Sequence, residues 1–279
     1  MTMSGRIQVE FWMLSILCRK HHKMNKFVRF KESAGEFWGI LNSDGTQMVR
    51  RVSGSIFGEW EVGDQVGLMS EIDLLPPCNP KNIVGLALNY KDLVENIELN
   101  YEPLVFIKAV SALTKGDSSI KKPSWVDTIW VEAELAIVVR KFISNASIEE
   151  ASSAVFGHVV ANDVTAKNVF GRDHHLARSK SLPTFCPISS MLIQGANTQD
   201  LRIRTRINGV LKQESSTSER IYGDAQALAL VSRIIPLHPG DLVLTGTPGG
   251  ALESTVSPGD DVLIEIENIG VIRNSVVTA

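Results

Sequence analysis

Three cysteines in 279 residues, Cys18, Cys78 and Cys186, are too few and too far apart for a disulfide framework, and none forms a CxxC pair. The odd count suits reduced thiols in a reducing compartment, so the cytoplasm is the expected location. No apolar run approaches the ~20 residues that a membrane-spanning helix needs. The nearest, Phe11–Cys18, is short and is followed by its basic cluster (Arg19, Lys20, His21, His22, Lys23), whereas a secretory signal carries its charges first. Residues 1–23 are therefore expected to be a loosely ordered extension, with the regular pattern opening at Met24. An excess of charge is missing too: 28 Lys and Arg stand against 31 Asp and Glu, a net charge of −3. Such a near-neutral field draws in neither nucleic acid nor an acidic membrane, and neither is expected as a partner. A local basic pocket for a small anion stays compatible with it. What remains is an ordinary globular composition, 44% hydrophobic and 21% charged, long enough to bury a substantial core.

The patterning is that of strands. Phe27–Phe30 and Phe37–Leu41 are aromatic and β-branched, and Asn42-Ser43-Asp44-Gly45 is a turn signal, so 24–76 reads as a small β-rich domain. Leu75-Pro76-Pro77-Cys78-Asn79-Pro80 reads as its linker into a longer β-dominated region, 80–279. There Ile83–Leu88 is a buried strand candidate. Leu201, Ile203, Thr205 and Ile207 alternate with Arg202, Arg204 and Arg206, and Asn208-Gly209 turns the chain into Val210-Leu211. The arginines are read as the solvent face of that strand. Pro239-Gly240-Asp241 and Pro258-Gly259-Asp260 each turn into an apolar strand. Helices are few. Ser147-x-x-Glu150 is a capping box predicting a helix to about Val155, and Asp224 is expected to cap another through Arg233. The fold class is mainly β (α+β), with sheets packed or rolled on one another.

The segment Val131–Val139 is the most informative. Its apolar residues mark a buried strand, yet Glu132 and Glu134 lie two positions apart within it, a spacing that places both on one face with Ala136 and Val138. Two adjacent acids in a packed interior repel each other and are costly to desolvate, unless a cation compensates. The pair alone fits equally an edge strand with a wet face. A third acid decides between them: Val159–Val164 is another apolar strand, ending in the isolated carboxylate of Asp163. Three carboxylates without a convincing Cys or His partner suit Mg²⁺, Mn²⁺ or Ca²⁺ rather than Zn²⁺. Lys180 could stabilise an enolate or move a proton beside such a site, though an ordinary surface lysine is the plainer reading. Thr245-Gly246-Thr247-Pro248-Gly249-Gly250 offers backbone N–H groups suited to an oxyanion, and lacks the Lys-Ser/Thr ending of a phosphate loop. His174-His175 are adjacent, and adjacent histidines do not easily face one point.

Taken in order, Gly85-Leu86-Ala87-Leu88-Asn89-Tyr90, Phe106-Ile107-Lys108, Glu132-x-Glu134-Leu135-Ala136, Ala161-Asn162-Asp163-Val164, Ser179-Lys180 with Thr184-Phe185-Cys186-Pro187, Asn208-Gly209 and Leu244-Thr245-Gly246-Thr247-Pro248 form a specific set. Over most of 80–279 it resembles the fumarylacetoacetate hydrolase family. The resemblance implies a mixed β-roll catalytic domain in a homodimer, with Mg²⁺ or Mn²⁺ on Glu132, Glu134 and Asp163. It further implies Lys180 as the active-site lysine, and Thr247, with Asn89 of the Asn-Tyr motif, on the substrate side. Family substrates are mostly small 2-oxo or diketo acids. Hydrolytic members commonly carry a histidine four residues after the motif's asparagine and a glutamate three further on. Here those positions are Leu93 and Asn96, with Glu95 one residue off, so the usual water-activating pair is absent.

The expected activity is accordingly that of the isomerase/decarboxylase branch of 4-hydroxyphenylacetate breakdown, acting on an unsaturated 2-oxo dicarboxylate in aromatic catabolism. Arg172 or Arg178 is expected to meet the second carboxylate. The rivals are a carbon–carbon hydrolase of acylpyruvate or fumarylpyruvate type, with Glu95, His174 or His175 as substitute base, an oxaloacetate decarboxylase, and a catalytically silent metal-binding homologue.

Overall fold

The computed structural model describes residues 24–98, 101–167, 171 and 173–279; the expectations for 1–23, Cys18 and Arg172 lie outside them. Strands dominate, as the alternating and continuous apolar runs require. Strand Ala133–Val139 is buried at all seven positions because both of its edges and both of its faces are covered. It pairs antiparallel with Val155–Asn162 on one side and with Leu242–Leu244 on the other. Beyond Leu242–Leu244 lies Ile83–Ala87, in parallel, and then Leu104–Lys108 at the sheet edge. In the other direction Met191–Gln194 connects Val155–Asn162 to Asn25–Glu32. The N-terminal strands Gly35–Leu41, Met48–Gly54 and Trp60–Leu68 thus extend the same sheet. The proline-rich stretch 76–80 is irregular, and Pro77, Cys78 and Pro80 are buried.

A second sheet orders Val210–Ser216, Arg202–Ile207, Asp261–Ile266, Gly270–Thr278 and Ile120–Lys122. Its Ile203, Ile264, Ile266 and Ile272 share one buried cluster with Ala133, Leu135 and Val160 of the large sheet. On the opposite face, helix Asp224–Ile234 lays Ala227, Leu228, Leu230 and Val231 onto Val84, Ile137, Val139 and Val243. Each leucine, valine or isoleucine so removed from water contributes roughly 1.5–3 kcal/mol. The alternation in Arg202–Ile207 reads out as expected: Ile203, Thr205 and Ile207 face inward, and Arg204 pairs outward with Glu214 at 2.7 Å. No helix among the described residues is long and apolar enough to cross a membrane.

Two local expectations are corrected. The capping box at Ser147 and Glu150 forms, but its helix ends at Ser153, because Val155 already belongs to the next strand. Asp224 does not cap its helix: Gly223 does, and the Asp224 carboxylate turns inward to His158 Nε2 (2.9 Å), Thr198 Oγ1 (2.7 Å) and Arg220 (2.7 Å). A more distant acid, Asp241, is buried and accepts from the backbone N–H groups of Lys81, Asn82 and His238. It fastens the entry of strand Ile83–Ala87 to that of Leu242–Leu244, its parallel neighbour.

Burial alone would raise the Asp224 carboxyl, but hydrogen bonding and charge from His158, then Arg220 and Thr198, hold it well below the usual carboxylate range. Its folded-state value therefore lies below the unfolded value of about 3.9, so its stabilisation is complete above that pH and is lost as pH falls toward the folded value. Asp224→Asn should cost about 2–4 kcal/mol at pH 7, lowering the melting temperature by roughly 5–10 °C. Thermal denaturation of both proteins should show the gap narrowing below about pH 4. A gap that stays constant from pH 7 to pH 3 would contradict this account.

Candidate metal centre and active site

Strand register builds the site. In the antiparallel pair Ala133–Val139 with Val155–Asn162, Ala133 stands opposite Asn162, and Asp163 N donates to Glu132 O at 3.0 Å. The acids flanking the end of the pair are thus brought face to face, with Glu134 one step further in. One oxygen from each of Glu132, Glu134 and Asp163 lies within 4.8 Å of the others. Glu132 stands just outside the strand and is half-buried, while Glu134 and Asp163 are buried. The wet edge strand is excluded, since Ala133–Val139 has a neighbour on each side.

Each carboxylate has its own partners. Glu132 accepts from Trp130 Nε1 (2.6 Å), Thr165 Oγ1 (3.0 Å) and Lys180 Nζ (3.0 Å). Asp163 receives Lys180 on one oxygen and Lys108 on the other, both at 2.5 Å. Glu134 accepts from Gly246 N at 2.6 Å, and no lysine or arginine among the described residues pairs with it. Gly246 reaches it because Leu244 pairs with Ala136, which brings the following residues alongside Leu135 and Glu134. Burial, then Asp163 and Glu132, push Glu134 well above the ordinary carboxylate value. Burial raises Glu132 as well, against the pull of Lys180. Burial would also raise Asp163, but Lys108 and Lys180 overcome it and hold that carboxyl below its usual value. Desolvation would lower Lys180, yet Asp163 and Glu132 keep its ammonium above the ordinary lysine value.

The donor set suits a hard divalent cation. Three carboxylates face two ammonium groups, and Glu134 has no cationic partner of its own. At an effective dielectric near 20, two unit charges 4.8 Å apart repel by about 3.5 kcal/mol. A divalent ion would offset that repulsion and take all-oxygen ligands.

Above these acids opens a cavity of about 360 Å³. Glu132, Glu134, Thr165, Ser179, Lys180 and Thr247 form its polar side; Leu86, Leu88, Leu93, Phe106, Trp130, Leu176, Ala251 and Leu252 supply apolar walls. The Lys180 ammonium lies 4.7 Å from the centre of the Phe106 ring, which adds a cation–π contact. Phe106 in turn requires Gly85, since a methyl group there would run into its ring. Two wall residues, Leu88 (φ 60°) and Leu176 (φ 57°), hold left-handed backbone that leucine seldom adopts. Strain of this kind collects at functional sites. Leu176 opens the short helix Ala177–Lys180, and the Asp173 carboxylate accepts from Ser179 N (2.6 Å) and Arg178 N (3.2 Å), which fixes the turn that delivers Lys180.

Of the residues singled out from the sequence, Glu132, Glu134, Lys180 and Thr247 line this cavity, and Asp163 is buried beside the two glutamates, within 4.8 Å. Asn89 lies behind the wall: its amide donates to Tyr222 O (3.0 Å) and Thr245 O (2.8 Å) and accepts from Tyr222 N (2.7 Å), leaving little for a ligand. Arg178, His174, His175 and Glu95 are exposed and off the cavity wall. Two N–H groups of the glycine loop are already occupied, Gly246 N by Glu134 and Gly249 N by Asp92 at 2.8 Å. Cys78 and Cys186 are buried free thiols, and burial pushes Cys186 up to about 12, so it is inert. Sequence reasoning assigned no role to Lys108 or Gln213. A lysine in a strand of otherwise apolar and aromatic residues was the available signal for the first. For Gln213, on the strand after the Asn208-Gly209 turn, there was none.

The family model described as fumarylacetoacetate (FAA) hydrolase C-terminal matches residues 82–277, and a model for an Rv2993c-like N-terminal region matches 25–77. The mitochondrial oxaloacetate tautomerase of Xenopus laevis is 34% identical over 75% of this chain and 69% of its own length. The 4-hydroxyphenylacetate degradation bifunctional isomerase/decarboxylase of Escherichia coli is 33% identical over 70% of this chain and 47% of its own. A crystal structure of 2-hydroxyhepta-2,4-diene-1,7-dioate isomerase from Mycobacterium marinum superposes with a TM-score of 0.82 at 28% identity, covering 91% of this chain and 98% of that one. With its acids, lysine and cavity in place, this chain belongs to the fumarylacetoacetate hydrolase family of enzymes.

Proposed function

We propose that this chain is a Mg²⁺- or Mn²⁺-dependent isomerase or decarboxylase of unsaturated 2-oxo acids, small dicarboxylates among them, and that keto–enol proton transfer is the step its site serves best. One observation carries the reading. A buried ammonium stands against carboxylates at the polar floor, while the exposed rim presents Leu93 where a hydrolase places a base. Leucine accepts no proton, and the substitute bases considered above, Glu95, His174 and His175, are off the wall. The names of the three relatives reported above support the same reading, being those of a tautomerase, an isomerase/decarboxylase and an isomerase.

Glu132, Glu134 and Asp163 would hold the cation. When bound, it supplies a fixed positive charge that polarises a 2-oxo carbonyl and steadies the negative charge gained there as a carbon–hydrogen or carbon–carboxylate bond opens. Lys180, the ammonium on the cavity wall, hydrogen-bonds that same oxygen or returns a proton to carbon. In isomerisation Lys180 gives a proton to carbon as the 2-hydroxyl becomes an oxo group, and the amine left behind takes up the hydroxyl proton, so the exchange balances without an oxidant or an activated water. Thr247 fixes a substrate carboxylate. Leu88, Leu93, Leu176 and Leu252 give the remaining face an apolar lining. Decarboxylation asks for the same charge stabilisation and is the second reading.

Calorimetric titration with Mn²⁺ should give binding that Glu132→Ala abolishes and Glu134→Gln weakens by at least about tenfold. Because Glu134 is raised above its unfolded value, its ionisation burdens the metal-free fold as pH rises; metal-free Glu134→Gln should therefore melt no lower than wild type at pH 8. Undiminished affinity in both variants would refute the site. With Mn²⁺ present, the protein should consume the enol absorbance of 2-hydroxydienoates or enol-oxaloacetate, and Lys180→Met should slow this by about 10²-fold or more. Rapid cleavage of acylpyruvates to pyruvate and an acid, without isomerisation or CO₂ release, would instead favour a hydrolase.

A further inference from the structure

Gln213 is buried, lies on strand Val210–Ser216 of the second sheet, and reaches across to the first. Its Oε1 accepts from Ala133 N (3.1 Å) and Thr205 Oγ1 (2.7 Å); its Nε2 donates to Thr247 Oγ1 (2.9 Å) and Pro248 O (3.0 Å), with Gly249 O a more distant acceptor at 3.4 Å that shares the hydrogen facing Pro248. The amide cannot be turned over. A backbone N–H only donates, so the atom facing Ala133 is oxygen, and a backbone carbonyl only accepts, so the atom facing Pro248 is nitrogen. Both lone pairs of the oxygen and both hydrogens of the nitrogen are thereby engaged. The Thr247 hydroxyl consequently receives a hydrogen from Gln213 and has its own left to give. Thr247 borders the cavity, so that hydrogen is available to an acceptor there.

Resting on the function proposed above, we propose that Gln213 is a positioning residue that sets the polarity of Thr247, holding its hydroxyl as a donor to a carboxylate oxygen of the substrate. The chain of donors runs in one direction, from Ala133 N through the Gln213 amide and the Thr247 hydroxyl to the ligand, and hydrogen bonds in such a chain polarise one another. Ala133 sits between Glu132 and Glu134, so one side chain ties the metal-holding strand to the substrate-holding loop. Glutamate at this position keeps the acceptor for Ala133 but puts a second oxygen against Thr247. The threonine must then donate to the protein, and the substrate loses its donor.

The test uses the Mn²⁺-loaded full chain and oxalate as probe, by titration calorimetry. Gln213→Glu should leave Mn²⁺ affinity within about twofold of wild type and weaken oxalate about tenfold, the scale of one hydrogen bond to a charged group. Thr247→Val should match it, and the double variant should be no weaker than either single one, because both remove the same donor. Gln213→Met, equal in length but without donor or acceptor, provides the same comparison if the glutamate variant does not fold. Losses that multiply to about a hundredfold in the double variant, or Mn²⁺ affinity falling in step with oxalate, would show a merely structural role and overturn the assignment. Oxalate affinity equal to wild type in either Gln213 variant would do the same. Failure of wild type itself to bind oxalate would overturn the functional reading, and this inference with it.

Discussion

The concentration of negative charge at the end of one strand pair governs the architecture around it. Glu132 and Asp163 meet because their strands run antiparallel in a register that sets Ala133 opposite Asn162. A shift of one residue would turn every side chain of a strand to its other face and disperse the acids. That register is held by apolar packing on both faces, the second sheet on one and helix Asp224–Ile234 on the other. Hydrophobic burial is thus what pins together groups that electrostatics alone would drive apart.

Counter-charge then arrives from separate elements. Lys108 comes from the edge strand and engages Asp163 from the side away from the cavity, whereas Lys180 comes from a short helix and faces the cavity. Two lysines at the same distance from Asp163 both hold its carboxyl low, yet stand in different settings: Lys108 is sealed behind the wall, and Lys180 borders the cavity. Glu134, with a single backbone N–H and no lysine, is the acid whose charge most needs a bound cation.

Around this centre the cavity wall is more strongly apolar than small, highly charged substrates would suggest. Glu132, Glu134 and Lys180 share that wall with Leu88 and Leu176, two leucines in unusual backbone conformations.

Much of this was readable from residue order. Two acids at strand spacing inside a run of valines and alanines, and a third at the end of another apolar run, mark a buried carboxylate cluster whatever the rest of the fold is. Alternation with arginine, the Asn-Gly turn and the paired Pro-Gly-Asp turns likewise declare their strands, since local sterics and side-chain period decide them. Tertiary structure alone decided which polar groups are already occupied. Asp224 reads as a helix cap but is drawn inward by His158 and Arg220; Asn89 reads as a ligand contact but is consumed by the backbone of Tyr222 and Thr245; the N–H groups of Gly246 and Gly249 read as free but are taken by Glu134 and Asp92. The partners in these cases are mostly distant in sequence, and a hydrogen bond depends on angles and separations that no local pattern encodes. The identity of the acids belongs to the sequence; which donors and cations answer them belongs to the fold.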